Sequence, residues 1–145
     1  MREIRFTAFG RSQPQGSKNA FKHGNRVVLV EASKGLKPWR SVVALEAKLF
    51  MESVQDHSLI DGPVAVDILF TFVPGKTVKR KAMTTKPDAD KLSRAILDSL
   101  TGVCWRDDAQ VVDLRARKVM GWLIWLRLLL PNCNQIFFEI VVLFL

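Results

Sequence analysis

Residues 86–119 read KPDADKLSRAILDSLTGVCWRDDAQVVDLRARKV and hold six aspartates, in a chain whose formal charge is +8. Gathered carboxylates suit a hard divalent cation, which takes oxygen ligands and keeps waters for chemistry. The positive charge around them suits a polyanion. Pro87 closes the preceding segment, and Asp88 is a good helix N-cap. On a helical wheel from 88 to 100, Leu92, Ala95, Ile96, Ser99 and Leu100 fall on one side. Asp90, Lys91, Arg94 and Asp98 fall on the other, with Asp90, Arg94 and Asp98 four apart in a ladder. TGVCW reads as a turn, and RDDAQVVDLRARKV as the entry to a strand. Val112, Leu114 and Ala116 then share one face, and Asp113, Arg115 and Arg117 the other. A helix–turn–strand unit is expected to fold Asp108 back toward Asp88 and Asp90, where three carboxylates suit Mg2+. A plainer reading competes. Asp at a helix N-terminus stabilises the macrodipole by ~0.3–1 kcal/mol, Asp-Asp before a strand is ordinary turn chemistry, and Asp98 can pair with Arg94.

The elements that position these residues follow from periodicity. EIRFTAF alternates, with Ile4, Phe6 and Ala8 on one face, and reads as a strand. GRSQPQGSKNAFKHGN reads as a long loop bearing Arg11, Lys18, Lys22, His23 and Arg26, followed by a short strand RVVLV. In KPWRSVVALEAKLFMESV, Pro38 suits a first helical turn. Trp39, Val43, Ala47, Phe50 and Val54 make the core stripe of an amphipathic helix. DGPVAVDILFTFV is the clearest strand, with Val64, Val66, Ile68, Phe70 and Phe72 on one face. PGKTVKRKAMTTKP has no apolar period and carries Lys76, Lys79, Arg80, Lys81 and Lys86, so it is a basic loop or arm. The fold class is mixed α/β (α+β): a small mixed sheet packed by two main helices.

One domain is expected at 145 residues, long enough to bury a core without disulfides. The two cysteines, Cys104 and Cys133, have neither disulfide-framework nor metal-ligand spacing. MREIRFTAFG is no signal peptide, and a cytoplasmic setting is expected. There are no repeats. Residues 119–145 hold only Arg127 and Glu139 as charges, so the composition breaks near Lys118.

Residues 86–118 resemble the signature of the RusA family of Holliday junction resolvases. KPDADKLSRAILDSL supplies Asp-x-Asp opening a helix, a basic residue four positions later and Asp-x-Leu at its end. WRDDAQVVDLRARK supplies Asp-Asp-x-Gln before a strand that ends in Lys118. Residues 1–118 follow the family's element order and form the endonuclease domain. The resemblance implies metal ligands at Asp88, Asp90 and Asp108, with Arg94 at the catalytic lysine position. Asp107, Asp98 and Lys118 are supporting positions. It implies Mg2+, with Mn2+ as a substitute, no nucleotide cofactor, branched DNA as partner, a homodimer, and paired symmetric nicks leaving 5′-phosphates in DNA recombination and repair. The ion would polarise the phosphodiester and activate a water while Arg94 stabilises the pentavalent phosphate. Lys18, Lys22, Lys76, Lys79, Arg80, Lys81, Lys86 and Lys91 are the expected DNA contacts. Two residues depart from the pattern. Arg94 keeps the charge but cannot act as a general acid at ordinary pH, and Lys91 stands where the family has Asn.

The apolar tail, 119–145, is the third departure. Its two apolar runs are each shorter than the ~18–20 residues of a spanning helix, and Pro131, Asn132, Asn134 and Gln135 divide them. No membrane anchor is favoured; residues 136–145 are expected to pack as an edge strand. Two other classes compete with the nuclease: a non-catalytic basic DNA-binding module, and a small membrane-associated protein.

Overall fold

Alternation in the first strand and in DGPVAVDILFTFV is the pattern of a sheet with one buried face, and that sheet forms. The computed structural model describes residues 3–16, 18–31, 34–55, 57–75, 77–80, 82–121 and 136–144. Its elements are β1 (Glu3–Gly10), β2 (Lys18–His23), β3 (Arg26–Glu31), α1 (Leu36–Ser53), β4 (Val64–Phe72), α2 (Ala89–Leu100), a 3-10 turn (Asp108–Gln110), β5 (Val111–Met120) and β6 (Ile136–Phe144). Four strands form a mixed sheet in the order β1-β6-β4-β5, and β2 pairs with β3 as a separate hairpin. β6 is antiparallel to both its neighbours, whereas β5 is parallel to β4. A parallel pair needs a crossover, and α2 supplies it.

The core lies between the sheet and the two helices. Ile4, Phe6 and Ala8 of β1 and Val64, Val66, Ile68, Phe70 and Phe72 of β4 are buried, as their alternation predicts. α1 buries Leu36, Trp39, Val43, Ala47 and Met51. α2 buries Leu92, Ala95, Ile96, Ser99 and Leu100, the whole expected apolar side. Gly10 is required by close approach, since a Cβ there would lie 3.1 Å from the Trp39 ring. Among the described residues, no helix is long and apolar enough to cross a membrane.

The structure differs from the sequence reading in four places. Val54 is not in the α1 stripe: the helix ends at Ser53, and Val54 is 52% exposed beyond it. Residues 18–23 are a strand rather than loop, because Gly24 adopts φ 61° in the two-residue link between His23 and Arg26. A glycine at the first position of such a link closes a hairpin. On β5, a register irregularity beside Val64 shifts the alternation, so Val111 packs on the core while Val112 stays 65% exposed. Finally, β6 is an inner strand, not an edge strand. Its sequence IFFEIVVLF is nearly uncharged, and such a strand at an edge would offer unpaired backbone to other chains. The edges fall instead to β1 and β5, which carry Glu3, Arg5, Asp113, Arg115 and Arg117.

Candidate functional site on helix α2

Helix α2 begins where sequence capping rules place it. Asp88 is the N-cap, with extended backbone (φ −73°, ψ 141°), but its carboxylate makes no capping hydrogen bond. It faces Lys91 Nζ at 3.4 Å instead. A lysine in the first turn opposes the helix dipole, and the Asp88 carboxylate offsets that charge. Both side chains are about half exposed, so the pair adds at most ~1 kcal/mol. Asp90 and Arg94 are exposed on the same helix. Asp98 does not pair with Arg94; Arg40 Nη2 of α1 reaches its Oδ2 at 3.2 Å. That pair ties the two helices together.

The approach to Asp88 is fixed from β5. Lys118 Nζ donates to the carbonyl oxygens of Pro87 at 2.8 Å and Thr85 at 3.0 Å. Arg80 Nη2 donates to Thr85 Oγ1 at 3.1 Å, bracing the basic loop against its own exit. The Lys86–Pro87 peptide is cis. A second strap comes from the segment after β1, where Gln15 N donates to Lys91 O at 3.0 Å. Position 118 was legible in the sequence as a supporting lysine. The Gln15 strap and the Arg40–Asp98 pair were not, since nothing local links residues so distant in sequence.

The Asp107–Asp108 pair sits elsewhere. Asp107 caps the 3-10 turn, accepting from Ala109 N at 2.8 Å. Gln110 Oε1 accepts from Arg106 N at 2.9 Å and Asp107 N at 3.1 Å. Its Nε2 donates to the Ile60 and Gly62 carbonyl oxygens, each at 2.9 Å. Asp107 and Gln110 therefore build the turn, and Asp108 is left exposed at the N-terminal end of β5. Nearby, the exposed Arg106 guanidinium hydrogen-bonds Asp61 Oδ1 at 2.7 Å, which raises its pKa above the ordinary value.

These contacts correct the expected convergence of three carboxylates. Pro87 lies beside Lys118, near the C-terminal end of β5, whereas Asp108 precedes its first residue. From Val111 to Lys118 an extended strand spans roughly 23 Å at ~3.3 Å per residue. The physical reason is the crossover: a helix joining two parallel strands runs antiparallel to them, so its N-terminus and the entrance of the second strand lie at opposite ends. Among the described residues, no group of three or more His, Cys, Asp or Glu side chains could hold a metal ion. Asp88 and Asp90 stand together at the start of α2, and Asp108 stands at the other end of β5.

The expected DNA contacts are spread over several elements. Lys22 is exposed on the β2–β3 hairpin, Lys79, Arg80 and Lys86 on the basic loop, and Lys91 on α2. Lys18 belongs to β2 by its backbone, and its side chain lies outside the described part. Lys76 and Lys81 lie outside the described residues.

Comparison with known proteins adds two findings. A family model described as endodeoxyribonuclease RusA matches residues 11–122. The uncharacterized protein YqaN of Bacillus subtilis strain 168 is 31% identical, over 79% of this chain and 86% of its own length.

Proposed function

Because the chain belongs to the RusA family of endodeoxyribonucleases, we propose that it is a structure-selective nuclease that resolves four-way DNA junctions by paired, symmetric nicks in recombination and repair. The observation that carries this reading is the match over residues 11–122, which takes in the basic loop, α2, the Asp107–Asp108 turn and β5. The substrate end of the molecule is then the start of α2. Arg94 lies one helical turn beyond Asp90 and is exposed there, so its fixed positive charge can stabilise a phosphate as negative charge builds on it. It does not deliver a proton. Lys79, Arg80 and Lys86 precede the same turn and suit the flanking phosphates.

A Mg2+ requirement fits only a shared site. Asp88 and Asp90 give two of the oxygen ligands a hard cation takes, and Asp108 of the same chain is too far away to add a third. A homodimer removes the difficulty, because a two-fold axis can set the Asp88 end of one subunit beside the Asp108 end of its partner. The same axis presents two sites to the two opposed strands of a junction.

Subunit mixing tests this directly. Asp90→Asn and Asp108→Asn proteins should each bind a synthetic junction and fail to cut it in Mg2+. Refolded together, they should regain nicking of one strand, because every mixed dimer then holds one site with all its carboxylates. A mixture as inert as its components overturns the shared site, and a wild-type protein that never cuts overturns the nuclease. The second outcome would favour a non-catalytic DNA-binding module, a reading supported by the capping and ion-pair roles of Asp107 and Asp98.

A further inference from the structure

The described side chains of the β2–β3 hairpin, from Ala20 to Val27, lie outside the core. Among the described residues, its extensive packing is only between its own two strands. Every residue from Ala20 to Val27 is exposed, including Phe21 at 56% and Val27 at 67%. A two-stranded hairpin alone is marginal in water, and Phe21 leaves an aromatic ring in solvent on one of its faces. Its charge selects the partner. From Lys18 to Val27 the sequence is KNAFKHGNRV, with three Lys and Arg, one His and no carboxylate.

The register arranges these groups by face. His23 pairs with Arg26, and side chains opposite one another in an antiparallel pair share a face. Phe21, two residues before His23, joins them there. Lys22 pairs with Val27 on the reverse face. One side of the hairpin tip therefore presents an aromatic ring beside an imidazole and a guanidinium. That combination suits a nucleotide whose base has left its helix: the ring stacks on the base and the cation meets its phosphate. Continuous duplex offers no free base face, but the crossover of a branched DNA does.

We infer that the β2–β3 hairpin is a branch-reading arm, with Phe21 stacking on an unpaired or unstacked base at the DNA crossover and Arg26 holding the adjoining phosphate. The inference rests on branched DNA being the substrate, and it adds a second DNA contact on a different element from the carboxylates. Selectivity for the junction over duplex comes from Phe21, and Lys22 and Arg26 strengthen binding to both.

The test uses the full chain in EDTA, with a four-way junction carrying 2-aminopurine at the crossover and a linear duplex of matched sequence. Phe21→Ala and Phe21→Leu should each weaken junction binding on the order of tenfold to a hundredfold, the range of one lost base stack. Duplex binding should be unchanged, and the emission change of 2-aminopurine on binding should disappear. Phe21→Trp should restore both. Lys22→Ala with Arg26→Ala should weaken both DNAs and lower the salt slope by about one unit per contact. Junction binding by Phe21→Leu equal to wild type, or an equal loss on duplex, overturns the arm. So does a change in oligomeric state of DNA-free Phe21→Ala, which would make the hairpin a subunit contact. Mg2+-dependent cleavage by wild type is scored separately. Cleavage with Phe21-independent binding rejects the arm alone, while Phe21-dependent junction binding without cleavage supports the arm and rejects the nuclease.

Discussion

Lys118 shows how a single residue can brace the backbone beside a candidate site. Its ammonium donates to two backbone carbonyls immediately before Asp88, those of Thr85 and Pro87. A cation hydrogen-bonded to carbonyls contributes more than a neutral donor, and partial exposure reduces that gain. Lys118→Met should therefore lower unfolding free energy by about 1–2 kcal/mol in urea titration. Junction cleavage should fall further than stability accounts for, because the entry to α2 is released along with its N-cap aspartate. A variant with wild-type stability and cleavage would reduce Lys118 to a surface lysine. Gln110 is the contrasting case. It is polar, next to the aspartate pair and easily taken for a site residue, yet its amide is fully engaged in holding the 3-10 turn to Ile60 and Gly62.

At the scale of elements, β6 matters most. It pairs with β1 on one side and β4 on the other, in register over nearly its whole length. Removing an inner strand leaves both neighbours with unpaired backbone and exposes the apolar face between them. A protein ending at Met120 should accordingly be molten or insoluble, with lost near-UV circular dichroism. A soluble fragment that unfolds cooperatively would show that the remaining strands close without it. The basic loop between β4 and α2 makes a different kind of contribution. Its Lys79 and Arg80 are exposed and precede the proposed substrate end. Reversing both charges should weaken DNA binding and lower the slope of log affinity against log salt by about one unit per lost phosphate contact. An unchanged slope would make that loop a solvated turn.

The whole molecule places both helices on one side of the sheet, since α1 packs on β1 and on α2, and α2 on β5. The carboxylates divide between the two ends of β5. On the proposed reading a monomer carries an incomplete site and a single arm. A two-fold pair would complete two sites, present two arms, and double the formal charge of +8 that attracts a large polyanion. Light scattering at working concentration should report a homodimer with and without junction DNA. A monomer in both conditions would remove the shared-site reading and leave a single-strand nicking activity as the better account of the family match.

The sequence alone determined what depends on neighbours along the chain. The alternation of β4, the apolar side of α2, the Asp88 cap and the likeness of residues 86–118 to the RusA signature all rest on spacings of two to four residues; the first two reappear in the structure, and Asp88 holds the N-cap position without a capping hydrogen bond. Gly24 followed by Asn25 was a legible hairpin signal, hidden by the polar residues around it. Tertiary structure decided the rest. The inner position of β6 depends on which strands it joins, and its composition speaks only for burial. The separation of Asp108 from Asp88 and Asp90 depends on β5 lying parallel to β4. Sequence spacing fixes how far apart two residues can be, but the direction in which strands pair decides which end of the sheet each one reaches.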